Sequence, residues 1–589
     1  MGQIERLVAA LSVLLVFVYV VLRAIYVPTF HDEAATFFHY IVSENFLPFQ
    51  AHWDANNHIL NSGLGFLCYK VLGPQQWWIR LPNVLSFLVF GYFVVRISED
   101  ISNRLIRWGV LIAVLTAAFP LEFFSQARGY AMSIAFLMGV VYHGAQYLKH
   151  QRLEHQFWLW FWMWLAVAAS LTLMNTYLIV LGLVFLAIIV NREAPLQHLI
   201  TWLLFGISFF LAATYYGLEL KDRGLLYTGF DDGFIEVTVR SLIHFQLGQD
   251  SYPIAVFIAA LGGVSAMVLI ANFLLKSLEW NAIRLVAVFL LLNAVGSILL
   301  NLLFGMNFPE NRVGMYYIPL FLFAVAGLFD LMAQRIPQAK WLSLSFVIFP
   351  IHLSQHFNLD STILWSKWHA SSKIYNEAVR LQHLKGEPLM VSADYLNELG
   401  WTYYNFQNNA EMQLLQRDMM PDTLADYLIA RPADFEFSSV PYRSVFHDEA
   451  NNIFLLERIR QLTWSKPIVL NEIRAEFSGS DEFYELVNQR ASNLPSSVGM
   501  WELRGKFSCA EEGFRGQLVI TSNAENSENG TYSMIPLHWI RPTWNQDTLH
   551  IKRTFHFADD AKDFKIYFWN LDRDEISFEL EKLEFRAVK

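Results

Sequence analysis

Eleven apolar runs, each close to the length that crosses a bilayer, fill the first 355 residues, and nothing else in the chain constrains its fold as strongly. They fall at about 7–27, 80–97, 106–123, 129–148, 157–173, 176–190, 198–216, 253–275, 284–304, 313–332 and 340–354. The pattern predicts a polytopic α-helical membrane region of about eleven transmembrane helices over 1–355. A further apolar segment, 58–72, is short and carries Asn61, Ser62 and Lys70, so it is expected to lie flat at the membrane surface. The first run could be taken for a signal peptide. It extends to Val27 with no small-residue cleavage site, so it is expected to be retained.

Charge separates the two halves. Met1–Gln355 holds 19 Lys/Arg and 19 Asp/Glu, whereas His356–Lys589 holds 24 and 34, so the net charge of −10 sits in the C-terminal part. An acidic exposed half argues against nucleic acid as a partner. Cys68 and Cys509 lie in different halves and make no disulfide framework or thiolate metal cluster. The chain has no CxxC, Walker loop, HExxH or GxSxG.

Basic residues set the expected orientation. With the N-terminus cytoplasmic, short inner segments hold Arg6, Arg96, Arg104, Arg107, Lys149, Arg152, Arg192, Lys276, Arg284, Arg335 and Lys340, which is 11 of the 19 Lys/Arg in this half. The outer face then receives 28–79, the Phe124–Arg128 turn, 217–252, 305–312 and everything after about 355. In that outer part, 356–462 mixes helix and strand signals and predicts a small α/β module. Its buried strands are Leu389–Ala393 and Leu424–Ala430, and its hairpin is Tyr442–His447 with Asn452–Arg458. Residues 463–589 alternate in strand fashion at Gly516–Ser522, Thr548–Phe557, Phe564–Trp569 and Ile576–Phe585, which predicts a β-sandwich of jelly-roll type. Its tryptophans, Trp501, Trp539, Trp544 and Trp569, suit a packed core, with stacking on sugar rings as the alternative.

Polar residues at the outer span ends are the functional candidates. Asp32 and Glu33 follow the first span and open a stretch, Ala34–Phe46, whose apolar spacing suits an interfacial helix. A helix start favours carboxylates, so simple capping also explains them. Asp54, Asn56, Asn57, His58 and Asn61 offer more hydrogen-bonding groups than one cap needs, and they suit sugar hydroxyls. Arg80, Arg128 and Arg312 stand at outer span ends. Each is explained by snorkelling; together they suit a phosphate. Glu122 is a partner candidate for Arg128, and Arg23 and Lys70 read as interfacial anchors.

In order, the Asp32-Glu33 pair, the polar stretch before 58–72, Arg80-Leu-Pro, Ala-Arg128-Gly-Tyr and Arg312-x-x-x-Tyr-Tyr-x-Pro resemble the GT-C glycosyltransferases. The branch is that of the protein O-mannosyltransferases and lipid A aminoarabinose transferases. The resemblance implies a polyprenyl-phosphate sugar donor, Asp32 as general base, and Arg80, Arg128 and Arg312 facing the donor phosphate. Asp54, Asn57 and His58 are the further substrate-binding candidates. It implies an inverting single displacement onto an acceptor hydroxyl of a glycan, lipid or protein at the outer face of a cell (inner) membrane. Glu33 would assist Asp32 or bind a divalent ion; no metal ligand set or other cofactor is assigned. Many family members carry His-Pro-Pro where this chain has Asn57-His58-Ile59, which sets its substrate contacts apart. The rival classes are a transporter, which would show internal repeats, broken helices and mid-membrane charges, and a non-catalytic sugar-binding membrane protein, which leaves Asp32 and the arginines without a task.

Overall fold

The computed structural model describes the whole chain except residues 191–195, 227–228, 278, 365–369, 410–411, 416–421, 433–440, 470–475, 512–513 and 526–529. The predicted inner-face residue Arg192 and the side chain of Lys276 lie outside the described residues.

Each of the eleven apolar segments falls on helix. Seven helices among the described residues are long and apolar enough to cross a membrane: Gln3–Tyr26, Gln76–Ser98, Gly129–His150, Leu171–Val190, Leu196–Asp222, Tyr252–Leu275 and Ala282–Phe304. The other four segments deviate for visible reasons. The segment 106–123 is two helices, Arg104–Leu115 and Ala118–Phe124, bent by 50°. Pro120 sits in the first turn of the second, where its missing N–H is harmless, but its ring stops the first helix from running on. The segments 157–173 and 313–332 are 17-residue helices, Leu153–Ala169 and Tyr317–Ala333. The segment 340–354 is a tight 3₁₀ run, Pro337–Val347, then a short α-helix to Gln355. Ser343 and Ser345 hydroxyls donate to the carbonyls of Lys340 and Leu342, three residues back, which suits the tighter winding. The segment 58–72 forms the 14-residue helix Ile59–Leu72, too short to span.

The helices sort their charges by end. At one end of Gln76–Ser98, Glu99 pairs with Arg6 and Arg96, and Glu5 pairs with Arg104 and Arg107. Asp330 accepts from the backbone N–H groups of Ser102 and Asn103. Four residues predicted for the inner face therefore share one polar rim. Arg80 lies at the opposite end of that helix.

Two units divide the chain: Met1–Val27 with Phe46–Leu364, and Pro28–Asn45 with Trp365–Lys589. Among the described residues, the second unit contains thirteen strands. A mixed sheet of order β1-β2-β4-β3 is built from β1 (Val391–Ser392), β2 (Tyr427–Ala430), β3 (Tyr442–Asp448) and β4 (Ile453–Arg458), with β1 and β2 parallel. The remaining strands are β5 (Ile468–Val469), β6 (Glu476–Gly479), β7 (Phe483–Arg490), β8 (Val498–Cys509), β9 (Gly516–Ala524), β10 (Thr531–Pro536), β11 (Trp544–His556), β12 (Ala561–Asn570) and β13 (Ile576–Ala587). They form two antiparallel sheets, β10-β9-β12-β7 and β11-β8-β13, with β5 and β6 on the free edge of β13. Phe507 of β8 packs on Phe568 of β12 with ring centroids 5.6 Å apart, inside one core that draws on both sheets. Among the described strands of these two sheets, β9 and β10 are sequential neighbours within a sheet, and the other successive strands from β6 onward cross from one sheet to the other.

The stretch after the first span differs from the expected interfacial helix. His31–Thr36 is α-helical and Phe37–Val42 continues as a π turn. Phe37, Phe38, Tyr40, Ile41 and Val42 are all buried. Phe37 packs edge-on against Tyr403 and Phe406 of the helix Tyr395–Gln407, and Phe38 lies 5.1 Å from Trp539. The aromatic content that reads as a membrane-facing stripe is used inside the C-terminal unit instead.

Candidate functional site

In the membrane unit, a short loop and two span ends converge on the ring of Tyr130. The loop 54–58 is folded by its own acid. Asp54 Oδ1 accepts from the N–H of Asn56 at 2.9 Å, and Asn56 O accepts from the N–H of His58. Asn57 donates to Phe46 O and accepts from the Ser62 hydroxyl. These contacts give Asp54 and Asn57 visible work in shaping the loop that delivers His58.

Arg128 stands at the N-terminal boundary of the helix Gly129–His150. Its turn is pinned twice. The Asn83 amide donates to the carbonyls of Phe123, Gln126 and Arg128, and Asn61 donates to Ala127 O at 3.0 Å. The Arg128 side chain is fully buried and donates from Nη2 to Asn56 Oδ1 at 2.7 Å. Arg312, in the turn Asn311–Gly314, donates from Nε to the Tyr130 hydroxyl at 3.3 Å. The two guanidinium carbons stand 5.7 and 5.9 Å from the centre of the Tyr130 ring. A pair of guanidinium groups around one aromatic face, with one fully buried, favours an anion.

His58 joins them. Its ring meets Tyr130 edge-on at 4.5 Å, and Nδ1 lies 2.8 Å from Ala169 O. Burial above all, then the charges of Arg128 and Arg312, push its pKa well below the usual histidine value; the Ala169 bond opposes them in part. The imidazole is therefore neutral at pH 7.

In the chain, the turn holding Arg312 leads into the helix Tyr317–Ala333. Tyr317 and Ile318 line an apolar cavity of about 180 Å³, shared with Leu242, Gly262, Ala266 and Leu290. The Gly262 position leaves a gap that a Cβ would close, at 3.0 Å from the Phe321 ring.

The other candidates fall elsewhere. Arg80 is buried and donates from Nη1 to the carbonyls of Ala24 and Val27, at the end of the first helix. Glu122 does not pair with Arg128. It pairs with Arg23 at 3.5 Å and accepts from the N–H groups of Ile363 and Leu364. Arg23 is accordingly not an interfacial anchor: it is 3% exposed and also donates to Asn358 O and Ser361 O. A buried acid attracts the nearest desolvated cation, and Arg128 is already engaged with Asn56. Asp32 and Glu33 lie in the second unit, in the first turn of His31–Thr36, 5% and 4% exposed. Among the described residues no group of three or more His, Cys, Asp and Glu could hold a metal ion.

Sequence reasoning passed over Tyr130, Asn83, Gly129 and Ala169 as site residues. The first three stand inside motifs already singled out, Ala-Arg-Gly-Tyr and Arg-Leu-Pro-Asn. Nothing in the sequence marks Ala169, which contributes only its carbonyl.

No protein-family model matches the sequence, and no curated protein matches it. Similar solved structures include ArnT from Cupriavidus metallidurans bound to undecaprenyl phosphate, at 11% identity and a TM-score of 0.45, over 78% of this chain and 98% of that one. The same protein in the apo state is similar at 12% identity and a TM-score of 0.42. The arabinosyltransferase EmbB from Mycobacterium smegmatis is similar at 10% identity and a TM-score of 0.38, over 98% of this chain but only 64% of that one.

Proposed function

We propose that this protein is a membrane glycosyltransferase that moves a sugar from a polyprenyl-phosphate donor to an acceptor hydroxyl. The observation that carries the proposal is the Arg128–Arg312 pair around Tyr130, together with the apolar cavity lined by Tyr317 and Ile318, which follow Arg312 closely in the chain. A lipid phosphate has both features: a charged head for the guanidinium groups and an apolar tail for the cavity. Arg128 and Arg312 hold the donor phosphate and stabilise the charge that collects on it as it leaves. Asp32 is the proposed general base, through the resemblance of Asp32-Glu33 to the GT-C motif. It takes the proton of the acceptor hydroxyl as the hydroxyl oxygen bonds to the anomeric carbon and the bond to the lipid phosphate breaks, with inversion. Glu33 orients Asp32 or the acceptor. Asp54, Asn57 and Arg80 act through the loop and helix end they brace.

The proposal places the protein in a cell (inner) membrane, with the N-terminus cytoplasmic and 356–462 and 463–589 outside. The polar rim around Glu5 and Glu99 supports this, because it gathers the cationic stubs at one end of the helices. The experiment is a transfer assay on the full chain in liposomes, with a panel of polyprenyl-phosphate sugars and a mixture of acceptor glycans, lipids and peptides. Release of lipid phosphate that needs both acceptor and Asp32 is the expected result. A wild-type protein that releases none from any donor overturns it.

A further inference from the structure

Among the described residues, one of the two ring nitrogens of His58 has a hydrogen-bond partner. Nδ1 is 2.8 Å from Ala169 O. A carbonyl can only accept, so Nδ1 carries the proton and Nε2 keeps the lone pair. Gly129 makes this approach possible: a Cβ there would stand 1.9 Å from Ala169 O and 2.9 Å from His58 Cβ. The edge-on contact with Tyr130 fixes the plane of the ring. His58 is 3% exposed, and among the described residues no hydrogen-bond donor meets Nε2. A buried acceptor left without a donor is disfavoured, and protonation is no escape beside two guanidinium groups.

The lone pair therefore awaits a donor from a ligand, and the donor's chemistry can be narrowed. A lipid phosphodiester carries no proton on its free oxygens; those oxygens suit the arginines and repel Nε2. An ammonium group would be repelled by Arg128 and Arg312. A neutral hydroxyl satisfies both limits. We infer that His58 reads the sugar of the donor: Nε2 accepts a hydrogen bond from a sugar hydroxyl while Arg128 and Arg312 hold the phosphate. This rests on the lipid-phosphate reading above and adds a specificity residue to it. Sites that hydrogen-bond a substrate hydroxyl discriminate strongly against ligands lacking it.

The test compares two lipids on the intact protein in detergent at pH 8: undecaprenyl phosphate and undecaprenyl phosphoryl-glucose. Binding is measured for wild type, His58→Ala and His58→Gln. Glutamine can place a carbonyl oxygen near the position of Nε2. His58→Ala is expected to weaken the glucosyl lipid by about tenfold or more and to leave the bare phosphate within about threefold. His58→Gln is expected to recover most of the loss, which separates recognition from misfolding. Equal weakening of both lipids by His58→Ala, or of neither, overturns the role of His58. A wild-type protein that binds neither lipid overturns the lipid-phosphate reading instead.

Discussion

Two neighbouring stretches of this chain carry acids and aromatics in similar mixtures and meet opposite fates. Residues 28–45 belong to the C-terminal unit, and residues 46–62 belong to the membrane unit. In the second stretch the acid is local. Asp54 folds its own turn, which presents Asn56 to Arg128. In the first, Asp32 and Glu33 ride on a helix whose next turns bury Phe37 and Phe38 among Tyr403, Phe406 and Trp539. Adjacency to a span did not decide the outcome, and neither did the number of large apolar side chains; in the first stretch Phe37, Phe38, Tyr40, Ile41 and Val42 are buried together, whereas in the second Leu47 and Phe49 stay about half exposed, and each buried aromatic removes roughly 150–250 Å² from water.

The largest expected effect tests whether the first stretch is held in place to do chemistry. Asp32→Asn keeps shape and removes the base, so transfer is expected to fall about 10²–10⁴-fold with melting temperature unchanged. Glu33→Gln, one residue on, is expected to cost clearly less. Equal losses in a side-by-side rate measurement would make the pair one structural unit and remove the distinction between base and helper.

Next in size is the anchoring of that stretch. Phe38 is fully buried against Phe406 and Trp539, so Phe38→Ala is expected to destabilise the C-terminal unit by roughly 3–5 kcal/mol. Limited proteolysis should then release fragments from 365–589 while the helices of the membrane unit stay protected. Unchanged cleavage would mean that 28–45 does not depend on that core.

What the sequence disclosed follows the same division. Strand signals exposed β3, β4, β9, β11, β12 and β13: β12 and β13 alternate buried and more exposed side chains, whereas β3 and β4 were legible from the turn that joins them as a hairpin. Those signals missed β8, where a run of five buried residues from Gly499 to Leu503 hides the alternation. Arg128, Arg312 and His58 were visible as polar residues at span ends. Their meeting at Tyr130 was not, since it depends on contacts between residues far apart in sequence and on a backbone oxygen, Ala169 O. The Glu122 partner was misjudged because sequence proximity favoured Arg128, while the fold brings Arg23 closer.

A smaller effect concerns a histidine of the C-terminal unit. His538 lies beside Trp539, and burial pushes its pKa down to about 4. The folded value lies below the usual 6.5, so above that pH both states are neutral and stability is whole. As pH falls from about 6.5 to about 4, the unfolded chain takes up a proton that the folded unit refuses. The C-terminal unit should lose about 3 kcal/mol across that window, read as a falling melting temperature. His538→Gln should flatten that slope; an unchanged slope would assign it to other groups.

The smallest effect separates the two arginines. Arg128 is buried and tied to Asn56, whereas Arg312 is half-buried and touches the Tyr130 hydroxyl at a longer 3.3 Å. A charged hydrogen bond contributes about 1.5–3 kcal/mol, so each Arg→Gln change should weaken polyprenyl-phosphate binding by roughly 10–150-fold. Arg128→Gln belongs at the upper end, because its partner Asn56 also loses its contact. Arg312→Gln belongs at the lower end, and its half-exposed charge should make its contribution fade more with added salt. Measuring both variants at low and high salt decides the matter. Equal losses with equal salt dependence would mean that the phosphate meets both guanidinium groups in one environment, and that burial does not rank them.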